Sequence, residues 1–136
     1  MKQNSLHIML IDSDQHVRDS LNLFFEGSQT DFLIFKSGIE GLNSLKYQKI
    51  DVVIADYFLP DMDGIEFLTK AAQIHPDATR ILMATMTNDE MAMGIAHARI
   101  DQFIEKPITV DSLETIIKEL EIIKRSKEYP AGKLKE

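Results

Sequence analysis

The chain has 136 residues, and 44% of them are hydrophobic, which predicts one globular domain rather than a disordered segment. Cysteine is absent, which excludes a disulfide framework and thiol chemistry and agrees with a location in the reducing cytoplasm. The formal net charge of −7 argues against a general nucleic-acid-binding surface, so no direct nucleic-acid partner is expected. The sequence has no membrane-spanning apolar run and no signal-peptide pattern, so no membrane association is expected.

Five short apolar runs predict five buried strands, because each run is too short for a helix. In chain order they are residues 7–11, 32–35, 52–55, 81–84 and 102–105. Apolar residues at helical spacing follow each run, and the fourth of these five predicted helices has the weakest pattern. The apolar stripes lie within residues 17–25, 39–45, 65–74, 91–98 and 113–123. Asp14 and Asn88 precede two of these patterns, and residues 109–112 (TVDS) open the last, as expected of helix starts.

Strict alternation of strands and helices predicts an α/β fold, a doubly wound parallel sheet with helices on both faces. With five strands the common order is 2-1-3-4-5, the flavodoxin-like arrangement, in which ligands bind beyond the carboxyl ends of the first and third strands. Residues 1–124 are predicted to form this domain. The polar residues 125–136 include Pro130 and Gly132, which would stop a helix, so they are interpreted as a tail or linker.

Polar side chains follow four of the predicted strands, at the edge where parallel strands end together. They are Asp12, Ser13 and Asp14 after the first strand, Asp56 after the third, Thr85 after the fourth and Lys106 after the fifth. Two carboxylates about 5 Å apart repel by roughly 3 kcal/mol at an effective dielectric constant of about 20, so a raised pKa, a bound cation or Lys106 must offset the repulsion. Oxygen ligands suit Mg²⁺, and a carboxylate beside a lysine and a hydroxyl suits the holding of a phosphoryl group.

Four motifs along the chain resemble those of the receiver domain of two-component response regulators. MLIDSD (9–14) resembles the family's acidic pocket and DYFLPDMDG (56–64) its phosphoacceptor loop. MATM (83–86) resembles the segment with the switch hydroxyl, and QFIEKP (102–107) has the aromatic residue and the Lys-Pro pair. Their order on the predicted elements extends the resemblance over residues 5–124. Asp61 and Asp63, inside the second motif, are interpreted as turn residues rather than ligands, with Asp63 and the following glycine beginning a helix.

The resemblance implies a phosphorylation site. Asp56 would accept a phosphoryl group from a phosphohistidine on a sensor histidine kinase or a phosphotransfer protein. Asp12, Asp56 and the backbone carbonyl of Phe58 would hold Mg²⁺. Lys106 would pair with Asp56 and then with the phosphoryl oxygens, and its bond to Pro107 is expected to be cis. Such a domain signals and is not an enzyme beyond Mg²⁺-dependent self-phosphorylation and dephosphorylation.

The resemblance also implies a switch. Thr85 would move to hydrogen-bond the phosphoryl group, and Phe103 would turn inward into the space that Thr85 leaves. The fourth helix, fifth strand and fifth helix would then form the output face. The apolar stripe of the last helix, with Ile122 lying off it, leaves room there for a partner or a weak homodimer, and an output domain could follow Glu136.

Two positions depart from the family pattern. Ser13 stands where the family has a second acidic residue that ligates the metal directly, and a neutral hydroxyl is the weaker ligand, so weakened Mg²⁺ binding and slower phosphorylation are predicted. Asp14 would compensate for this loss or only cap the following helix. Met86 follows Thr85 where the family has a small residue, and its long side chain would narrow access to Asp56.

These departures keep a second interpretation open, in which the fold has lost phosphorylation and serves as an interaction module. A binding module without any switch ranks third. The D-x-D spacing of Asp12 and Asp14 also resembles the nucleophile motif of haloacid-dehalogenase-type phosphatases. His16 occupies a position where that family has Thr or Val, and the chain is too short for its cap, so this interpretation ranks low.

Overall fold

Strands and helices alternate along the chain in the computed structural model, which describes residues 6–85 and 87–128. The elements are β1 (His7–Ile11), α1 (Gln15–Phe25), β2 (Asp31–Phe35), α2 (Gly38–Leu45), β3 (Val52–Asp56), α3 (Gly64–Ile74), β4 (Thr79–Ala84), α4 (Asp89–His97), β5 (Gln102–Glu105) and α5 (Val110–Glu128). The predicted strands are confirmed, with small extensions: β2 and β4 begin earlier than predicted, and β3 includes Asp56.

The five strands form one parallel sheet in the order β2-β1-β3-β4-β5, as predicted. Since strand order reverses beside β1, the carboxyl ends of β1 and β3 lie next to each other at the switch point. Asp12 directly follows β1, and Asp56 ends β3. The topology alone therefore brings these two carboxylates to one edge.

The core has two layers, one on each side of the sheet, because successive residues of a strand point to opposite faces. Met9, Val53 and Leu82 belong to the cluster that includes side chains of α2, α3 and α4. Their strand neighbours face the other way, and Ile8 and Ile54 belong to the cluster that contains side chains of α1 and α5. This packing explains why the inner strands are apolar at nearly every position.

All five described helices begin with a side chain that accepts a hydrogen bond from a backbone N–H of the first turn. These N-cap residues are Asp14 for α1, Ser37 for α2, Asp63 for α3, Asn88 for α4 and Thr109 for α5. A cap of this kind stabilises a helix by about 1 kcal/mol. Asp14 therefore caps α1, and the interpretation of Asp63 as a helix-start residue is confirmed.

The last helix continues further than the sequence pattern predicted. α5 runs to Glu128, so residues 125–128, assigned to the polar tail, continue the helix instead. Residues 129–136 and Met86 lie outside the described residues, as do the predictions made for them. Within the described part of the chain, none of the helices has both the length and the apolar composition that crossing a membrane requires.

Candidate functional site

One lysine joins two buried carboxylates at the carboxyl edge of the sheet. Lys106 Nζ donates to Asp12 Oδ2 at 2.9 Å and to Asp56 Oδ2 at 2.8 Å. Asp12 is 0% exposed and Asp56 8% exposed, and of the described residues these two are the buried ones with polar or charged side chains. Because burying an ionised carboxylate is costly unless it is paired, this cluster is the most unusual electrostatic feature of the fold.

Backbone groups fix both carboxylates. Asp12 Oδ1 accepts from the Asp14 N–H at 2.9 Å, so both of its oxygens have partners. The Arg18 guanidinium donates to the Asp12 carbonyl oxygen at 2.9 Å and ties the start of α1 to the same turn. Asp56 Oδ1 accepts from the Phe58 N–H at 3.3 Å, a longer and weaker bond. Asp56 is therefore held mainly through its other oxygen, by Lys106.

The charge on the lysine is stabilised by its partners. Burial alone would lower the pKa of Lys106, but the hydrogen bonds to Asp56 and Asp12 and the attraction of both carboxylates outweigh it and raise that pKa. Lys106 is thus a cation throughout the neutral range. Two carboxylates share this one positive charge, which leaves the cluster with a net charge of −1 when both are ionised.

The oxygen atoms at this edge suit a magnesium ion, although they include one carboxylate fewer than the receiver-domain pattern has. Asp12 and Asp56 lie side by side, since one nitrogen bonds to both, and Phe58 with its carbonyl follows two residues after Asp56. Ser13 is exposed. Among the described residues no three acidic or histidine side chains are grouped to hold a metal ion. Mg²⁺ commonly takes one or two protein carboxylates and keeps several waters, so these residues could hold it.

Of the two predicted switch residues, Thr85 lies beside the lysine and Phe103 lies within β5. The Lys106 N–H donates to the Ala84 carbonyl at 2.8 Å, which places Thr85 beside Lys106. Thr85 is exposed and, with Lys106, lines a shallow depression of about 310 Å³. Phe103 is half-buried and packs against the core cluster that includes residues of α3 and α4. The Lys106–Pro107 peptide bond is cis, as expected.

The base of the loop between β3 and α3 is pinned by backbone contacts. The Tyr57 N–H donates to the Met83 carbonyl at 2.8 Å, and the Gly64 N–H donates to the Tyr57 carbonyl at 2.7 Å. A Cβ atom at Gly64 would collide with the Asp56 carbonyl oxygen. Glycine is therefore needed here because the first residue of α3 lies directly against the end of β3.

Sequence reasoning missed the partner of Asp61. Its carboxylate accepts from the backbone N–H groups of Gly38 and Ile39, at the start of α2. The interpretation of Asp61 as a turn residue was incomplete, because the side chain also bridges two elements. Nothing local in the sequence signals this contact, since the donors are backbone groups more than twenty residues away.

Comparison with known proteins matches residues 8–118 to the response regulator receiver domain. The transcriptional regulatory protein GlrR of Escherichia coli K12 is 26% identical over 113 residues, which are 83% of this chain and 26% of GlrR. The sensor histidine kinase AtsR of Burkholderia thailandensis is 32% identical over 122 residues, which are 85% of this chain and 20% of AtsR. The chain therefore spans about a quarter or less of the length of these relatives.

Solved structures agree on the fold. The crystal structure of a CheY-like response regulator receiver domain protein from Methanospirillum hungatei has a TM-score of 0.82 to this chain at 26% identity. The match covers 90% of this chain and 98% of that one.

Proposed function

The chain belongs to the response regulator receiver domain family, and from this premise we propose that it accepts a phosphoryl group on Asp56 from a sensor histidine kinase or a phosphotransfer protein. The family consists of two-component signalling proteins and is not an enzyme family in the ordinary sense. The observation that carries the proposal is the Lys106 ammonium bonded to two buried carboxylates.

A structural ion pair is the alternative explanation of that cluster, and its position argues against it. A pair that served stability alone would be equally useful at either end of the sheet, whereas this one lies at the switch point, where doubly wound folds bind ligands. Asp56 also stands where a solvent-facing loop begins, and it retains slight exposure. These features support the proposal that a phosphoryl donor can reach the Asp56 carboxylate.

In the proposed reaction, an Asp56 carboxylate oxygen forms a bond to phosphorus as the phosphorus–nitrogen bond of the donor breaks. The electron pair of that bond returns to the imidazole ring. The Lys106 ammonium, already 2.8 Å from Asp56, neutralises charge on the phosphoryl oxygens as it moves from the carboxylate to them. Asp12 keeps Lys106 at this edge through its own hydrogen bond.

Mg²⁺, held by Asp12, Asp56 and the Phe58 carbonyl, would supply further neutralisation of the phosphoryl charge. Ser13 removes one acidic ligand from this set, so weaker metal binding and slower phosphorylation remain the prediction. Because Asp14 caps α1 through its own side chain, it is poorly placed to replace the missing carboxylate.

The output would come from the side of the sheet that carries Thr85. Phosphorylated Asp56 has more negative charge and more acceptor oxygens, and Thr85 and Lys106 would follow them. Phe103, on β5, would turn inward and shift α4, β5 and the start of α5. A homodimer partner or an output domain would bind the shifted elements. An output domain is compatible with the length of GlrR, of which the matched residues make up 26%.

Phosphorylation with a small phosphodonor, acetyl phosphate at millimolar Mg²⁺, tests the proposal by intact-protein mass spectrometry. The wild type is expected to gain one phosphoryl group, and Asp56→Asn to gain none. Asp77→Asn, which removes an equal charge at the opposite edge of the sheet, is the matched control and should label like the wild type. Ser13→Asp should label faster than the wild type and at lower Mg²⁺.

A phosphorylation-independent interaction module is the second candidate, and the exposed serine at position 13 is the observation that favours it. In that case the wild type would take up no phosphoryl group at millimolar Mg²⁺. Restoration of labelling by Ser13→Asp would then identify Ser13 as the cause.

A further inference from the structure

The tip of the loop between β3 and α3 is fastened to α2 by one side chain. Asp61 Oδ1 accepts from the Gly38 N–H at 3.0 Å, and Asp61 Oδ2 accepts from the Ile39 N–H at 2.8 Å. The first N–H groups of a helix have no partner inside the helix, and a negative charge there is favoured by the helix dipole. Asp61 thus satisfies two donors of α2 from a different part of the chain.

The titration of Asp61 is consistent with this contact. Slight burial would raise its pKa, but the hydrogen bonds from Ile39 and Gly38 outweigh burial and hold the pKa below its ordinary value. A group with a depressed pKa contributes its stabilisation above the ordinary value and loses it as the pH falls through the lowered one. The contact therefore persists at neutral and mildly acidic pH.

A second contact links the same two elements. The Met62 side chain packs so closely on Gly38 that a Cβ atom at position 38 would collide with it. By contrast, the local cap of α2 is independent of the loop, because Ser37 Oγ accepts from the Glu40 N–H. The loop tip and the start of α2 are therefore joined by a polar and an apolar contact, while α2 has its own cap.

We propose that Asp61 is a positioning residue for phosphorylation of Asp56. By holding the loop tip on α2, it keeps Asp56 and the Phe58 carbonyl in the relative placement that phosphoryl transfer needs. Asp61 itself touches neither the phosphoryl group nor the metal. The inference rests on the proposed function of Asp56 and adds to it that α2, outside the output face, sets the rate of the reaction.

The contact itself is tested by NMR of the Gly38 and Ile39 amides. In the wild type both amide proton shifts should titrate together at a pH below the ordinary aspartate value, because both bond to one carboxylate. Asp61→Ala should speed the hydrogen exchange of both amides on the order of tenfold. Asp61→Asn, which keeps one acceptor oxygen, should give a smaller change. Unchanged shifts and exchange in Asp61→Ala would overturn the inference.

The positioning role is tested by labelling rates. Asp61→Ala should slow labelling by acetyl phosphate on the order of tenfold, since small displacements near a reacting group are costly, and Asp61→Asn should fall between it and the wild type. The labelled residue should still be Asp56, because the acceptor is intact.

Ser37→Ala is the matched control, since it removes a cap from the same helix without touching the loop. It should label at the wild-type rate. Equal slowing in Ser37→Ala would show that general loosening of α2 slows labelling. A wild-type rate in Asp61→Ala would show that labelling does not require the attachment of the loop to α2. Either result would overturn this inference but not the proposed function. A wild type that takes no phosphoryl group would instead overturn the proposed function, and this inference with it.

Discussion

The helices that follow β3 and β4 differ in how firmly they are attached to the sheet. α3 buries Gly64, Phe67, Leu68 and Ala71, whereas α4 buries Met91 alone among its residues. The strands differ in the same way: every residue of β3 is buried, while both ends of β5 are exposed and its middle is half-buried. The site lies between a well-packed side, formed by β3, α2 and α3, and a loosely packed side, formed by α4 and β5.

Under the proposed function, this difference in packing corresponds to different roles for the two sides. Asp56 stands on the well-packed side, where α2 is held by Asp61 at its start and by the contact of His75 Nε2 with the Leu45 carbonyl at its end. Thr85 and Lys106 border the loosely packed side. Local opening costs least where few apolar side chains are buried, so a change of charge at Asp56 should displace α4 and β5 rather than α3.

The largest difference between the sides should appear when one large side chain of each helix is truncated to alanine. Phe67→Ala removes a fully buried ring from α3 and should lower the free energy of unfolding by about 3–5 kcal/mol. Met93→Ala, on the exposed face of α4 where the side chain is 67% exposed, should change it by less than about 0.5 kcal/mol. Urea denaturation followed by circular dichroism measures both. Similar costs for the two variants would remove the distinction between the sides.

The sequence was sufficient to predict the strands and the proximity of Asp12, Asp56 and Lys106. The apolar runs are buried on both faces of a parallel sheet, so they stand out from the rest of the chain. Strand order then predicted that Asp12, Asp56 and Lys106 would meet at one edge, and they do. Their chemical roles stay proposals, because a hydrogen-bonded cluster does not by itself report a reaction.

Other features could not be predicted for physical reasons. The partners of Asp61 are backbone N–H groups, which every residue except proline carries, so no side-chain pattern marks them. α5 extends to Glu128 because the charged residues after Lys124 are good helix formers, although the apolar stripe that guided the prediction has ended. The choice between ligand and cap for Asp14 depended on side-chain direction, which spacing leaves open.

The ion pairs of Lys106 with Asp12 and Asp56 link the two sides, and a substitution at Lys106 removes them. Lys106→Met keeps the apolar stem and leaves two buried carboxylates without their cation, which should cost about 3 kcal/mol near neutral pH, at the lower end of the range for buried pairs because Lys106 is partly exposed. Because the pKa of Lys106 is raised in the folded state, its contribution is fully present below the ordinary lysine pKa and is lost only as the pH rises through the raised value.

The stability difference between wild type and Lys106→Met should therefore stay constant from neutral pH up to the ordinary lysine range and shrink above about pH 10. Urea midpoints across this pH range provide the measurement. Lys118→Met, an exposed lysine on α5, should have little effect at any pH. A difference that declines already at mildly alkaline pH would mean that burial outweighs the two carboxylates at Lys106.

A smaller effect is expected from a methyl group added at the start of α3. In Gly64→Ala the new Cβ would collide with the Asp56 carbonyl oxygen and with a methyl group of Leu82. Backbone cannot move aside as a side chain can, so the variant should lose about 2 kcal/mol of stability. Labelling of Asp56 should slow as well, because the strain falls on the proposed phosphoacceptor residue. A variant as stable as the wild type would show that the junction of β3 and α3 is not rigid.

The same Gly→Ala substitution on the loosely packed side should stabilise the protein rather than destabilise it. At Gly94, inside α4, an added Cβ would meet only the terminal Cδ1 atom of Ile65 and, more distantly, its Cγ2 atom. Since that side chain can change its rotamer and alanine is the better helix former, Gly94→Ala should raise the free energy of unfolding by up to about 1 kcal/mol. Urea denaturation beside Gly64→Ala provides the measurement. A loss as large as that of Gly64→Ala would mean that α4 is packed on α3 as tightly as α3 is packed on the sheet. The proposed output face would then have to move as part of a rigid body.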